Sequence, residues 1–154
     1  MSNPNYRSGT VAEKRIDNFL HLNFKGAYYY QTYVGENINN NTLVIDFLLG
    51  GEAYKRKGSK RFTSKHKGGV LLEIKTKNTK GSIDDKIPMS CLRLQHAVNR
   101  HGYDKAIIVL CGDAWVYKDY FCGLGFHNEF LRHCKDVKIL TEEQFEEMYE
   151  SRIN

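Results

Sequence analysis

The sequence lacks a hydrophobic run long enough to cross a membrane. Its longest apolar stretches, at 44–49 and 106–111, are far short of the roughly 20 residues that a transmembrane helix needs. The first nine residues are polar and lack the apolar core of a secretory signal. The four cysteines include no Cys-x-x-Cys pair. These absences predict a protein with free thiols, no membrane partner and an intracellular, cytoplasmic location.

The chain also lacks internal repeats and linkers. Its 154 residues are therefore predicted to form one domain spanning 1–154. Hydrophobic residues make up 41% and charged residues 27%, which is usual for a globular fold. This composition excludes collagen-like, low-complexity and mostly disordered chains.

Positive charge is concentrated in one segment, 51–69. The whole chain carries a net charge of +5, but this segment alone carries +6. Its only acid is Glu52, and its cations are Lys55, Arg56, Lys57, Lys60, Arg61, Lys65 and Lys67. A glycine pair at each end indicates a projecting arm or hairpin, whose expected partner is a polyanion such as nucleic acid. A solvated loop that only confers solubility is the alternative.

Hydrophobic periodicity and capping patterns predict the element order α-β-β-β-α-β-α-β-α. Helices are expected at about 9–22, starting at the capping box Thr10-x-x-Glu13, at 88–100 and at 126–134. A last helix begins at the capping box Thr141-x-x-Gln144, with Phe145, Met148 and Tyr149 facing inward. Strands are expected at about 27–34, 42–49, 69–77, 105–111 and 137–140. The continuous apolar run 105–111 is typical of a central strand buried on both faces. The predicted class is α/β (α+β), with a central mixed sheet flanked by helices.

Two acids interrupt apolar strands where no structural need for them is evident. Asp46 breaks the run 44–49, and Glu73 breaks 70–74. Lys75 lies on the same strand face as Glu73, because strand side chains alternate with period two. A buried unpaired charge costs several kcal/mol, so these groups must pair or hold a metal.

Asp46 and Glu73-Ile74-Lys75, with Glu13 on an N-terminal helix, resemble the PD-(D/E)XK nuclease superfamily, which has the restriction-endonuclease-like fold. The resemblance covers about residues 9–112 and implies an αβββαβ core, followed here by additional C-terminal helices. The sequence departs from the pattern in three respects. Ile45 replaces the proline, the segment between the two acids contains the basic insertion at about 51–69, and Gln95 is followed four positions later by Asn99 rather than tyrosine.

The resemblance implies an Mg²⁺-dependent endodeoxyribonuclease that acts on double-stranded DNA. Asp46, Glu73 and the carbonyl of Ile74 would hold Mg²⁺, for which Mn²⁺ would substitute, whereas Ca²⁺ would bind without turnover. Lys75 would orient the attacking water, and Glu13 would complete the acidic cluster. The small domain resembles compact homing endonucleases and small type II restriction enzymes. Double-strand cleavage with one site per chain would require a homodimer or a dimer of dimers.

Several further residues are candidates, and other functions stay open. Lys77, Lys80 and Lys86 are candidate DNA contacts, and Gln95 is a candidate for supporting the site or contacting a phosphate. A Holliday-junction resolvase of the same fold and a non-catalytic nucleic-acid-binding module are the alternatives. A third is a zinc-containing regulatory protein that uses Cys122, His127, His133 and Cys134.

Overall fold

The computed structural model describes the backbone of residues 4–150 and the side chains of residues 11–150. In this part of the chain, a seven-stranded sheet lies between helices on both of its faces. The strands are β1 (Tyr28–Glu36), β2 (Thr42–Leu49), β3 (Ala53–Lys55), β4 (Phe62–Ser64), β5 (Val70–Thr76), β6 (Lys105–Cys111) and β7 (Val137–Thr141). The helices are α1 (Pro4–Asn23), α2 (Ile87–His101), α3 (Lys118–Phe121), α4 (Leu124–Glu129) and α5 (Glu142–Tyr149), with 3₁₀ helices at Ile83–Lys86 and Leu131–His133.

The strands follow the order β3-β4-β1-β2-β5-β6-β7 across the sheet. The neighbours β1, β2 and β5 are antiparallel, whereas β6 runs parallel to β5 and β7 runs parallel to β6. Parallel neighbours need a crossover, and α2 supplies it between β5 and β6. The predicted mixed α/β sheet flanked by helices is confirmed.

The sheet separates two hydrophobic clusters, and β6 contributes to both. Ile108 and Leu110 pack into the cluster that contains α2. Ile107 and Val109 pack into the cluster that contains α1 and α5. Six of the seven residues of β6 are buried, as predicted for a strand covered on both faces. The helix α2 ends at Gly102, whose φ of 72° is the left-handed conformation that glycine adopts readily.

The helix α1 begins earlier than the sequence predicts. It starts at Pro4 rather than at about residue 9, so Glu13 lies inside the helix. The predicted capping box Thr10-x-x-Glu13 is therefore wrong for Glu13, and the side chain of Thr10 lies outside the described residues. Ala12, Ile16 and Leu20 are buried against the sheet, as their spacing predicts.

The basic segment is a hairpin attached to the edge of the sheet rather than a free arm. Its strands β3 and β4 are antiparallel, and β4 pairs in parallel with β1 at Thr32–Phe62 and Tyr33–Thr63. The glycine pairs at its base have positive φ, between 69° and 101°. These two strands were not predicted, because each has only three residues and the flanking sequence is mostly polar.

The region after β6 also differs from the prediction. A single helix at 126–134 is wrong, because α4 and the 3₁₀ helix at Leu131–His133 divide this stretch, and the short helix α3 precedes it. The helix α4 ends at Glu129, because the next residue, Phe130, has non-helical φ and ψ of −129° and −52°. The ring of Phe130 stacks on that of Phe126, with 5.1 Å between the ring centroids. The capping box that begins α5 is confirmed at Thr141. Met148, predicted to point inward, is 39% exposed.

No helix among the described residues is long and apolar enough to cross a membrane. All four cysteines are free thiols. Burial raises the pKa of Cys91 and of Cys111 to about 12, so both thiols are poor nucleophiles at neutral pH.

Candidate active site

The side chains of Asp46 and Glu73 lie where two neighbouring strands cease to pair. The last of three paired positions between β2 and β5 joins Phe47 to Leu72. Continuing this register by one residue brings Asp46 opposite Glu73. Here the backbone N–H of Ile74 donates to Oδ2 of Asp46 at 2.7 Å. The carboxylate of Asp46 therefore lies between β2 and β5, just beyond the positions at which the two strands pair.

Lys75 shares the partly buried environment of Glu73. Its Nζ lies 3.9 Å from Oε1 of Glu73, near the outer limit of an ion pair. The two side chains are 24% and 19% exposed, so water reaches both. Their closeness confirms that they share one face of β5, as the period-two spacing predicts. The ammonium is near enough to stabilise the carboxylate without being held tightly by it.

Burial opposes ionisation of both carboxylates. The pKa of Asp46 is raised from 3.8 to about 8, first by burial and then by the charge of Glu73. The hydrogen bond from Ile74 acts in the opposite direction but does not outweigh these effects. Burial also raises the pKa of Glu73, against the opposing charges of Lys75 and Arg93. The site therefore contains more carboxylate than the chain neutralises, which is typical of functional sites.

The helix α1 brings a third carboxylate, Glu13, to this site. Glu13 lies close enough to raise the pKa of both Asp46 and Glu73. The hydroxyl of Tyr30 donates to Oε2 of Glu13 at 2.6 Å. Burial, followed by this hydrogen bond, raises the pKa of Tyr30 to about 12. Tyr30 was not among the predicted site residues, although alternation along β1 places it on the same face as Tyr28, which also reaches α1.

Gln31 marks a backbone irregularity beside Asp46. The strand β1 pairs with β2 on both sides of Gln31, in a register that puts Gln31 opposite Asp46. Its φ is 52°, a conformation that is uncommon for residues other than glycine. Such a conformation costs on the order of 1–3 kcal/mol and is concentrated at functional sites. Nothing in the neighbouring sequence indicates it.

The metal-binding capacity of the site depends on more than its side chains. Among the described residues, no group of three or more His, Cys, Asp and Glu side chains could hold a metal ion. Asp46 and Glu73 would therefore need further oxygen ligands, such as the carbonyl of Ile74, water or substrate. The same finding contradicts the zinc alternative for the residues Cys122, His127, His133 and Cys134.

Lys77, predicted to contact DNA, and Gln95, predicted to support the site or contact a phosphate, are both buried and hydrogen-bonded within the protein. Lys77 is 5% exposed, and its ammonium is paired with Asp84 beside the ring of Trp115. Gln95 is 7% exposed. Its amide group donates to Oδ2 of Asp136 at 2.9 Å, and its carbonyl accepts from the N–H of Asp136 at 2.9 Å. The polar groups of both side chains are therefore bonded within the protein, to Asp84 and to Asp136, and a role for either residue at DNA stays a prediction.

The cations of the hairpin are exposed on the surface. Glu52 lies 3.8 Å from the ammonium groups of both Lys65 and Lys67. Among the described residues, the other five have no acidic partner: Lys55, Arg56, Lys57, Lys60 and Arg61. Lys80 and Lys86, on the segment between β5 and α2, are also exposed. Contact between these residues and DNA stays a prediction.

Chemically, Asp46 and Glu73 can bind a hard cation, and Lys75 places an ammonium beside it. Glu13 adds negative charge from a separate element, and Tyr30 holds that carboxylate in position. In comparisons of the chain with protein-family models, curated proteins and solved structures, none matches it.

Proposed function

We propose that this protein is a Mg²⁺-dependent endodeoxyribonuclease of the PD-(D/E)XK superfamily. Its reaction would be hydrolysis of phosphodiester bonds in double-stranded DNA, as in homing or restriction enzymes. The observation that carries the proposal is the convergence of Asp46, Glu73 and Lys75 at one gap between strands. The two carboxylates there are not neutralised by the chain itself.

The order and directions of the elements support the proposal. The elements α1, β1, β2, β5, α2 and β6 follow the αβββαβ order, with the basic hairpin inserted between β2 and β5. The first three of these strands are antiparallel neighbours, and β6 lies parallel to β5. Asp46 and Glu73 lie on the second and third strands of that series. This placement resembles that of the acidic residues in the superfamily.

The charge balance supports a cation at this site. Raised pKa values at Asp46 and Glu73 mean that the protein disfavours having both groups ionised unless a positive charge joins them. Asp46, Glu73 and the carbonyl of Ile74 would hold Mg²⁺, which prefers oxygen ligands and retains several waters. Bound there, Mg²⁺ would supply electrostatic stabilisation of the phosphate undergoing attack.

The chain's own residues would complete the reaction geometry. The ammonium of Lys75, 3.9 Å from Glu73, would orient the attacking water and stabilise negative charge developing on the phosphate. Glu13, held by the hydroxyl of Tyr30, would add to the negative potential that attracts the cation. The gap between β2 and β5 would keep both carboxylates near their working positions without large rearrangement.

The basic hairpin supports DNA as the substrate. It leaves the end of β2 and returns into β5, the two strands that carry Asp46 and Glu73. Its exposed cations would contact phosphates and position the duplex along the sheet edge. Cutting both strands with one such site per chain would need a homodimer or a dimer of dimers.

The proposal is tested by incubating the protein with supercoiled plasmid and Mg²⁺ and mapping the ends that form. We expect linear product from the unmodified chain. Asp46→Asn, Glu73→Gln and Lys75→Ala are each expected to abolish cleavage. Calorimetry with Ca²⁺ or Mg²⁺ provides a second measurement, in which the two carboxylate variants lose metal binding and Lys75→Ala keeps it, because lysine is not a ligand.

Asp113→Asn is the matched control, because Asp113 is an exposed carboxylate remote in sequence from both strands of the site. It should cleave and bind metal normally. Cleavage near the unmodified level by Asp46→Asn would overturn the assignment. Metal-independent DNA binding without cleavage would instead identify a nucleic-acid-binding module.

A further inference from the structure

A cavity separate from the carboxylate site lies between the basic hairpin and the end of α2. Its volume is about 610 Å³, within the range of about 300–1,000 Å³ that is usual for small-molecule sites. The hairpin, β1, the start of β2 and the last turn of α2 all contribute to its wall. None of Asp46, Glu73 and Lys75 lines it.

Two guanidinium groups line this cavity from different elements. Arg56 comes from the hairpin and has no ion-pair partner among the described residues. Arg100 comes from α2, and its Nη2 lies 3.0 Å from Oε2 of Glu36 at the cavity rim. Guanidinium groups bind phosphate oxygens through paired N–H donors. The cavity therefore provides donors suited to one phosphate group.

Stacked rings form another part of the wall. The rings of His66 and His101 lie 4.6 Å apart and are nearly parallel, with an interplanar angle of 24°. His66 is exposed, so its ring is accessible from the cavity. Flat rings and guanidinium planes are the surfaces on which nucleic-acid bases stack.

Hydrogen bonding holds the ring of His66 in position. The hydroxyl of Tyr103 lies 2.9 Å from the carbonyl oxygen of Val34, 2.8 Å from Oγ of Ser64 and 3.2 Å from Nδ1 of His66. The backbone N–H of His66 also donates to Oγ of Ser64 at 3.1 Å. These bonds fix the ring of His66 against the cavity wall.

We infer that this cavity binds a single nucleotide unit, with its phosphate at Arg56 and Arg100 and its base on His66. The inference goes beyond the proposed nuclease activity and does not require it. The ligand is either a free mononucleotide or one unpaired nucleotide of a DNA strand, since the chemistry is the same. The carbonyl end of α2 disfavours an anion nearby, so binding should depend strongly on the unpaired Arg56.

Calorimetry with the full chain tests the inference, with dAMP, deoxyadenosine and inorganic phosphate as probes. We expect saturable one-to-one binding of dAMP and much weaker binding of the other two. Arg56→Ala should weaken dAMP binding by about tenfold or more, as expected for a charge-assisted hydrogen bond. Lys57→Ala is the matched control, because Lys57 adjoins Arg56 and carries the same charge but does not line the cavity.

Two further variants probe the base and the second arginine. His66 has a φ of 55°, which asparagine tolerates, so His66→Asn should fold while losing the stacking surface and weakening dAMP binding. Glu36→Gln releases Arg100 from its ion pair and should tighten dAMP binding by about two- to fivefold. Weaker binding in Glu36→Gln would contradict the role of Arg100.

The source of the nucleotide is distinguished by comparing dAMP with a short single-stranded oligodeoxyadenylate. Tighter, Arg56-dependent binding of the oligonucleotide identifies a strand of DNA, and equal or weaker binding identifies the free nucleotide. The inference is overturned if inorganic phosphate binds as tightly as dAMP, or if Lys57→Ala and Arg56→Ala weaken binding equally. Asp46→Asn should bind dAMP normally, because Asp46 does not line the cavity. The dAMP measurement therefore tests the cavity independently of the nuclease proposal.

Discussion

The strand β5 and the residue that follows it carry two charged groups in opposite situations, the buried Lys77 and the partly buried Glu73. Lys77 is 5% exposed, and its ammonium is paired with Asp84. Burial alone would raise the pKa of Asp84, but the hydrogen bond and charge of Lys77 lower it overall. Four residues earlier, Glu73 lies opposite Asp46, and the pKa of each is raised. The charge of Lys77 is neutralised within the chain, whereas Glu73 faces another carboxylate.

This difference separates a structural role from a functional one. An internal ion pair such as Lys77–Asp84 holds a loop on the end of a strand and needs no ligand. Two adjacent, partly buried carboxylates destabilise the fold at neutral pH unless a cation joins them. Proteins keep such unfavourable arrangements where function requires them. The contrast predicts opposite signs for the effects of removing each charge.

The largest effect is expected from breaking the structural pair. Lys77→Met leaves Asp84 buried without its partner and should lower the free energy of unfolding by about 3–5 kcal/mol. Urea denaturation measures this change. Lys80→Met is the matched control, because Lys80 is exposed on the following loop, and it should change stability by less than about 0.5 kcal/mol. Similar stability in the two variants would contradict a structural role for the Lys77–Asp84 pair.

Removing a carboxylate from the other site should stabilise the metal-free protein. Asp46→Asn keeps an acceptor for the N–H of Ile74 and removes the repulsion with Glu73, so stability at pH 8 should rise by about 1–3 kcal/mol. Asp46 binds more protons when folded, because its pKa is about 8 rather than 3.8. Stability of the unmodified chain should therefore fall as pH rises from about 4 to about 8.

Thermal unfolding between pH 4 and pH 9, with a chelator present, measures that dependence. In Asp46→Asn the decline toward pH 8 should be smaller. The pKa of Asp84 is lowered, so its contribution has the opposite sign and is lost only as the pH falls below 3.8. A steeper decline toward pH 8 in Asp46→Asn would contradict the interpretation.

A smaller effect on stability is expected from removing the hydroxyl of Tyr28 or Tyr30, each of which donates to a carboxylate on α1. Tyr30 donates to Glu13 at 2.6 Å, and Tyr28 donates to Asp17 at 2.8 Å, one helical turn away on α1. Replacing either with phenylalanine should cost about 1 kcal/mol of stability. Only Tyr30→Phe should weaken Mg²⁺ binding, by about fivefold, because only Glu13 belongs to the acidic site. Equal loss of Mg²⁺ affinity in both variants would exclude a positioning role for Tyr30.

Exposed charges should have the smallest effect on stability and act only on DNA binding. Replacing Lys55, Arg56 and Lys57 with alanine should change stability by less than about 0.5 kcal/mol per site. It should flatten the slope of log affinity against log salt by up to about three units. Replacing Lys65 and Lys67 should flatten it less, because both already lie near Glu52. An unchanged slope in the triple variant would make the hairpin a solvated loop.

Most of the elements could be predicted from local patterns. The spacing of Leu94 and Ala97 identified α2, and the apolar run of β6 identified a strand covered on both faces. The hairpin strands and the bounds of the short helices after β6 could not be predicted, because elements of three to six residues carry too little periodicity. Their conformations follow from pairing with β1 and from aromatic contacts such as that between Phe121 and Phe126.

The candidate site was predicted only in part. Charged residues inside apolar strands singled out Asp46, Glu73 and Lys75, and the structure brings them together. Tyr30 and Gln31 were not predicted, because a tyrosine or a glutamine is common in a strand. Their significance depends on the contact of Tyr30 with Glu13 and on the backbone conformation of Gln31, which only the structure gives. The burial of Lys77 and Gln95 depends on Asp84 and Asp136, which no spacing rule connects to them.

The sequence by itself determined which residues lie on the same face of an element, because that depends only on the period of a helix or strand. It also determined where charge is concentrated, since composition does not change on folding. Only the tertiary structure decided which charges removed from water find an opposite partner. That outcome depends on how the chain folds back on itself, and it paired Lys77 with Asp84 while placing Asp46 beside Glu73 without enough positive charge.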